Sequence, residues 1–155
     1  NLSRIIFINK MNKENIDFEK VIEDIRDRFG KGCVLVTMPI GTGPDFKGVV
    51  DFMDASRLET LSGDEKDKAL KLRNALIEVI AEKNDELLEK YLEGNELSPE
   101  EIRNGFKKGI TSGEIFPVFC GASIMDIGIK EIHSAIVEIL PSPSERPAKI
   151  AKDAT

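Results

Sequence analysis

The sequence predicts an α/β fold in which a parallel sheet with flanking helices carries an inserted antiparallel α+β subdomain. Three observations lead there. An apolar, β-branched run at residues 4–8 precedes a helical pattern, and the same order recurs where residues 115–120 precede another. Strands alternating with helices favour a parallel sheet. Between these ends, apolar runs at 33–38 and 46–53 are separated only by a Gly/Pro loop. Strands that close together, with no helix between them, pair antiparallel.

Each element has a local justification. Residues 4–8 stop at the polar pair Asn9 and Lys10, as a buried parallel strand does at its carboxyl end. Phe18, Val21, Ile22, Ile25 and Phe29 fall at helical spacing, with Asp17 placed to cap the start and Gly30 to end the helix. The run at 33–38 closes at Pro39, and residues 40–44 form a loop. After the strand at 46–53, residues 57–60 are expected to add a short strand. Ser62 and Glu65 form a capping-box pattern, and Leu72, Leu76, Val79, Ile80, Leu87, Tyr91 and Leu92 carry one apolar face to about Glu93, predicting a single long helix. Ser98, Pro99 and Glu101 open the next helix, which ends near Gly109 or Gly113. Ile129, Ile132, Ile136, Ile139 and Leu140 define the last helix, broken by Pro141 and Pro143, and the tail to Thr155 has the composition of a linker.

Composition narrows function. The chain has 155 residues, 41% hydrophobic and 32% charged, enough to bury a core without disulfide or metal staples. No apolar run approaches the roughly 18 residues of a membrane span, and no basic-then-apolar leader precedes the first strand. The chain begins with Asn1 and is expected to be an excised piece of a cytoplasmic protein. A net charge of −6 disfavours autonomous nucleic-acid binding. Residues 64–96 hold ten acidic against six basic side chains, a solvated helix face or a partner-recognition face. Cys33 and Cys120 have no CxxC spacing and no His companions, so they are expected as buried thiols.

Two loops follow the carboxyl ends of predicted parallel strands, residues 9–12 and 121–123. That edge of an open α/β sheet is where ligands bind. Asn9 has an amide able to serve ligand and backbone together, and Lys10 has an aliphatic stem that can lie on a planar base. The small residues Gly121, Ala122 and Ser123 allow close backbone approach. His133 lacks a carboxylate or Cys partner in the pattern and is expected to be a helix histidine without catalytic role. Asp51 and Asp54 have no matching sugar or metal motif, and Thr42 and Gly43 lie in a loop with no following lysine, unlike a phosphate cradle.

The segments RIIFINKM (4–11), MPIG (38–41), FKGVVD (46–51), EKYLEG (89–94), PVFCG (117–121) and LPSP (140–143) occur in this order. Together they resemble bacterial translation elongation factor G, the ribosomal translocation GTPase, or a close paralogue. The resemblance implies the C-terminal part of a P-loop GTPase domain at residues 1–30 and 115–141, an inserted subdomain at 31–114, and a linker at 142–155. It implies a guanine-specificity motif at residues 9–12 and a second base-contacting motif at 121–123, hence Asn9, Lys10, Asn12, Gly121, Ala122 and Ser123 as base-binding residues. GTP or GDP is the implied nucleotide, and the ribosome, especially its stalk protein facing the insert, the implied partner.

Two departures bear on this reading. The family's Asp is Asn12 here, and its Gly-Ser-Ala order is Gly121, Ala122, Ser123. A carboxylate accepts from both N1–H and the exocyclic amine of guanine, whereas a carboxamide turns an NH₂ toward one of those donors. The loss is on the order of 2–4 kcal/mol, about 30- to 1000-fold in affinity. Xanthine, with a carbonyl in place of that amine, suits Asn12 better. The chain also lacks G-x-x-x-x-G-K-[ST], a strand-end D-x-x-G and a Mg²⁺-binding switch threonine. The resemblance therefore implies that the phosphate and Mg²⁺ motifs lie upstream and that this segment alone hydrolyses nothing. The alternative reading is a protein–protein docking module of a degenerate paralogue whose nucleotide specificity is lost or altered.

Overall fold

The structure, a computed structural model, describes residues 2–142; the expected linker beyond Ser142 lies outside them. Strand β1 (Ile6–Ile8) leads to helix α1 (Phe18–Phe29), then strand β2 (Cys33–Leu35). Strands β3 (Thr37–Ile40) and β4 (Gly48–Asp51) follow, then helices α2 (Ala55–Glu59), α3 (Gly63–Ala81), α4 (Asp85–Leu92) and α5 (Pro99–Ser112). Strand β5 (Phe116–Cys120) and helix α6 (Ile129–Glu138) complete the order. The α/β class with a parallel sheet and an antiparallel strand pair is the one expected.

The parallel sheet has the order β1-β5-β2. Ile8 pairs with Cys120 and Leu35 with Val118. β5 holds the centre although it contains Pro117, which has no N–H to give. Phe116 N donates to Gly32 O at 2.8 Å on one side, and Gly121 N to Ile8 O at 3.0 Å on the other. Odd-numbered positions of β5 therefore face β1. Pro117 is one residue short of the Ile6–Val118 pair that opens the β1 ladder, so its missing donor falls before β1 begins.

The apolar run at 33–38 is two strands rather than one. Val36 N bonds Val118 O at 2.9 Å while Val36 O accepts from Phe52 N at 2.9 Å, so the chain leaves the parallel sheet there and enters the β3–β4 pair. Thr37, fully buried, takes the next ladder position with its side chain: Oγ1 accepts from Cys120 N at 2.8 Å. One hydrophobic core then runs through both parts, from Met11 and Val118 to Leu76, Ile80 and Phe106.

Three local expectations are corrected. Residues 57–60 are not a strand, because the Asp54 carboxylate accepts from Ser56 N at 3.1 Å and Ser56 Oγ at 2.6 Å and starts α2. The long helix breaks at 82–84, where Lys83 N and Asn84 N turn back to Ile80 O and Ala81 O and Asn84 Oδ1 caps α4 through Glu86 N at 3.1 Å. Ser62 occupies the N-cap position of α3 without a side-chain capping bond. The Ser98 box does form: Ser98 N donates to Glu101 Oε2 at 2.7 Å and Glu101 N to Ser98 Oγ at 3.3 Å. Lys90 Nζ adds 2.7 and 2.8 Å contacts to the same carboxylate, which together with the cap hold Glu101 down at about 2. α5 ends at Gly113 in the left-handed conformation.

Candidate functional site

β1 and β5 are parallel neighbours in register, so their carboxyl ends deliver residues 9–12 and 121–123 to one edge of the sheet. The two loops are joined by reciprocal bonds across 114 residues. Asn9 Nδ2 donates to Ser123 Oγ at 2.9 Å, and Ser123 N donates to Asn9 Oδ1 at 3.0 Å. Asn9 Oδ1 also accepts from Lys10 N at 2.7 Å. Both oxygen lone pairs are then used, and a single amide proton of Nδ2 is left over.

Lys10 is exposed and sits at φ +66, a left-handed conformation that a residue with a Cβ adopts rarely. The bond from its N–H to Asn9 Oδ1 helps to hold it there. Met11 is fully buried, and its N–H reaches Gly121 O at 3.0 Å, a second tie between the loops. Asn12 Oδ1 is buried with no hydrogen-bond partner. A buried acceptor left in that state costs about 1–3 kcal/mol, which a donor placed against it would recover. A ring N–H of a purine is such a donor, and the residues present fit that group.

The small residues at 121–123 also serve the packing of their own loop. Gly121 N is bonded to Ile8 O, Ala122 N to Ile127 O at 2.9 Å, and Ser123 N to Asn9. All three N–H groups are engaged within the protein. A Cβ at Gly121 would lie 2.3 Å from Ile127 O and 3.0 Å from Phe7 Cζ, so its smallness serves loop packing. Ser123 N–H reaches a ligand only by sharing or releasing Asn9.

Comparison with known proteins is consistent with this geometry. The chain is 41% identical to elongation factor G 2 of Syntrophomonas wolfei subsp. wolfei over 162 aligned residues, covering 97% of this chain and 23% of that protein. It is 36% identical to elongation factor G of Ureaplasma parvum serovar 3 and of Ureaplasma urealyticum serovar 10, covering 95% of this chain and 23% of each relative. A crystal structure of a Thermus thermophilus protein superimposes with a TM-score of 0.80 at 27% identity, over 93% of this chain and 23% of that one. No protein-family profile matches the chain. Nearly the whole of this chain aligns with one segment of elongation factor G. It spans about a quarter of the length of the relatives it matches.

The other residues weighed in the sequence lie outside this loop pair. Asp51 accepts from Met53 N at 2.8 Å and is largely buried; burial, with Glu131 and Asp54 nearby, pushes its carboxyl up to about 6. Asp54 caps α2, and its bonds to Ser56 hold its carboxyl below the usual range. His133 is exposed on α6. Cys33 and Cys120 are buried free thiols, and burial pushes Cys120 up to about 12, beyond use as a thiolate. Among the described residues no three His, Cys, Asp or Glu side chains are placed to hold a metal, and no helix is long and apolar enough to cross a membrane.

The sequence singles out neither Met11 nor the contact that Gly43 makes with it. Gly43, buried in a short 3-10 turn at Gly43–Asp45, donates its N–H to Met11 O at 2.9 Å. The Gly-x-Gly-Pro pattern at 41–44 signals a tight turn, but nothing in it signals that contact.

Proposed function

We propose that this chain is the base-recognition part of a ribosome-associated, cytoplasmic translational GTPase together with an inserted docking subdomain. The observation that carries the reading is the reciprocal pairing of Asn9 with Ser123, which joins two strand-end loops at one sheet edge. In this reading the remaining Asn9 amide proton meets a purine ring acceptor and the Lys10 stem covers one face of the base. Asn12 Oδ1 accepts the ring N–H that its orphaned state calls for. Gly121 and Ala122 shape the wall, and Ser123 holds Asn9. Residues 1–30 and 115–141 form the nucleotide-binding part and 31–114 the insert, with β2 and Thr37 stitching the two. Among the described residues no three His, Cys, Asp or Glu side chains are placed to hold Mg²⁺, and in this reading triphosphate binding and hydrolysis belong to other parts of the protein.

The insert offers the acidic stretch 64–96, with Leu92 on α4 largely exposed beside Glu89 and Glu93. Such a face suits the ribosomal stalk protein. Purified stalk C-terminal domain should titrate this surface, and no detectable shift at millimolar concentration would remove that partner.

A second reading is favoured by Asn12 itself. With a carboxamide where the family has a carboxylate, guanine meets a donor facing its amine, and docking through the insert becomes the surviving role of a degenerate paralogue. Equilibrium binding of GDP and XDP to the full-length protein, with Asn12 and with Asn12→Asp, separates the two. We expect XDP to be preferred with Asn12, and Asn12→Asp to restore GDP by about 30- to 1000-fold. GDP that binds well and ignores the substitution means a working guanine site with other contacts; neither nucleotide binding either protein leaves docking alone.

A further inference from the structure

Asn12 directly follows a residue whose backbone is held from two sides. Met11 N–H donates to Gly121 O at 3.0 Å, which ties it to the loop after β5. Met11 O accepts from Gly43 N–H at 2.9 Å, which ties it to the tip of the β3–β4 hairpin. The Met11 side chain is fully buried, so the residue cannot swing to compensate for the loss of either bond.

The hairpin tip is stiff for local reasons. Lys47 N bonds Ile40 O at 2.9 Å and closes the hairpin, while Asp45 N and Phe46 N turn back to Thr42 O and Gly43 O at 3.2 Å each. Phe46, 4% exposed, anchors the turn in the core. Gly43 itself has φ +61, and a Cβ there would stand 3.2 Å from Lys13 O. A side chain at 43 must therefore push on the segment that carries Asn12 or lift the tip away from it.

We propose that Gly43 is a positioning residue for purine-base recognition: through its N–H to the Met11 carbonyl, the insert's hairpin tip holds Asn12 in register with residues 121–123. The inference rests on the base-site reading above and deepens it. A binding event that shifts the hairpin changes nucleotide affinity through this bond, and by linkage nucleotide changes the affinity of that partner by the same factor.

The experiment measures GDP and XDP affinities and Tm for the full-length protein and for Gly43→Ala, Gly94→Ala and Asn12→Asp. Gly94 is the control, because its φ is +80 and a Cβ there meets nothing within 4 Å. Both alanines adopt a left-handed conformation, but only the one at 43 touches the loop. Gly43→Ala is expected to weaken the preferred nucleotide about tenfold, the worth of one well-formed hydrogen bond, and to pull the XDP:GDP ratio toward one. Gly94→Ala is expected to stay within about twofold of wild type with a comparable loss of Tm.

If Asn12→Asp changes the ratio and Gly43→Ala does not, the positioning role is overturned while the base site stands. If neither changes it, the base site is overturned and the inference with it. Should Gly43→Ala fail to fold, wild-type amide exchange decides. Saturating XDP is expected to slow exchange at Gly43 at least tenfold more than at Lys47 in the same hairpin. Equal or absent protection overturns the proposal.

Discussion

Replacing Asn9 with alanine tests the pairing on which the site is built. The change removes the acceptor for Ser123 N–H at 3.0 Å and Lys10 N–H at 2.7 Å and the donor to Ser123 Oγ at 2.9 Å. Because the loops are exposed, water replaces part of each bond, and the net worth lies at the low end of about 0.5–1.5 kcal/mol apiece. The two that cross between the loops total about 1–1.5 kcal/mol, roughly tenfold in the local opening equilibrium, since the Lys10 bond lies within its own loop. The chemistry also predicts that Asn9→Asp is milder. A carboxylate still accepts from both backbone N–H groups, and the Ser123 hydroxyl can rotate to donate to it. Native-state hydrogen exchange at the Ser123 amide reads the effect. Faster exchange by about tenfold in Asn9→Ala, and a small change in Asn9→Asp, support the geometry. If the Ser123 amide exchanges at the wild-type rate in Asn9→Ala, the two loops are not joined as described.

Two further predictions concern the insert. Asp51 has its folded value raised to about 6 from 3.8, so the unfolded chain holds fewer protons across that interval and stability falls as pH rises from about 4 to about 6, then levels. Asp51→Asn keeps an acceptor for Met53 N–H and is expected to gain about 2–3 kcal/mol at pH 7 with the slope removed; parallel Tm–pH curves for the two proteins would sink this. Glu101 is the reverse, with a folded value of about 2 against 4.5, so its contribution is complete above about 4.5 and fades as pH falls toward 2. Ser98→Ala, which removes the partner hydroxyl, is expected to cost about 1 kcal/mol by urea denaturation at pH 7. The cost should shrink at pH 2–3; a cost independent of pH would mean the box and the Lys90 contact do not act together.

Signals written within a few residues were legible, and signals written across the fold were not. Asp17 caps α1 through Lys20 N, and the Ser98 box forms, because a cap depends on its own turn. The break at 82–84 was also written locally, in Asn84 followed by Asp85 and Glu86, but the apolar face continuing to Tyr91 concealed it. At 33–38 the β-branched run carries no mark of its division. That division depends on Val36 being shared between Val118 on β5 and Phe52 just past β4, partners far along the chain. The site behaves the same way. That residues 9–12 and 121–123 meet follows from two adjacent parallel strands ending at one edge, a topological consequence of sequence order. That Ser123 spends its N–H on Asn9, and that Gly43 reaches Met11, depends on positions no periodicity records.

These bonds lead to one physical statement about specificity. Asn9 and Met11 are each tied to the loop after β5, Asn9 through Ser123 and Met11 through Gly121. Asn12, the residue proposed to distinguish the base, makes no side-chain tie through its oxygen. Its position is set by Met11 before it and by the hairpin tip beyond. A side chain without its own partner takes its accuracy from its neighbours, and a carboxamide needs that accuracy more than a carboxylate. A carboxylate offers acceptors on both oxygens, so a small rotation leaves an acceptor in place. A carboxamide that rotates exchanges an acceptor for a donor. In the proposed site, an Asn at position 12 makes base choice depend on how firmly the β3–β4 hairpin holds Met11. Restoring Asp at 12 is expected to reduce that dependence as well as to change the preferred base.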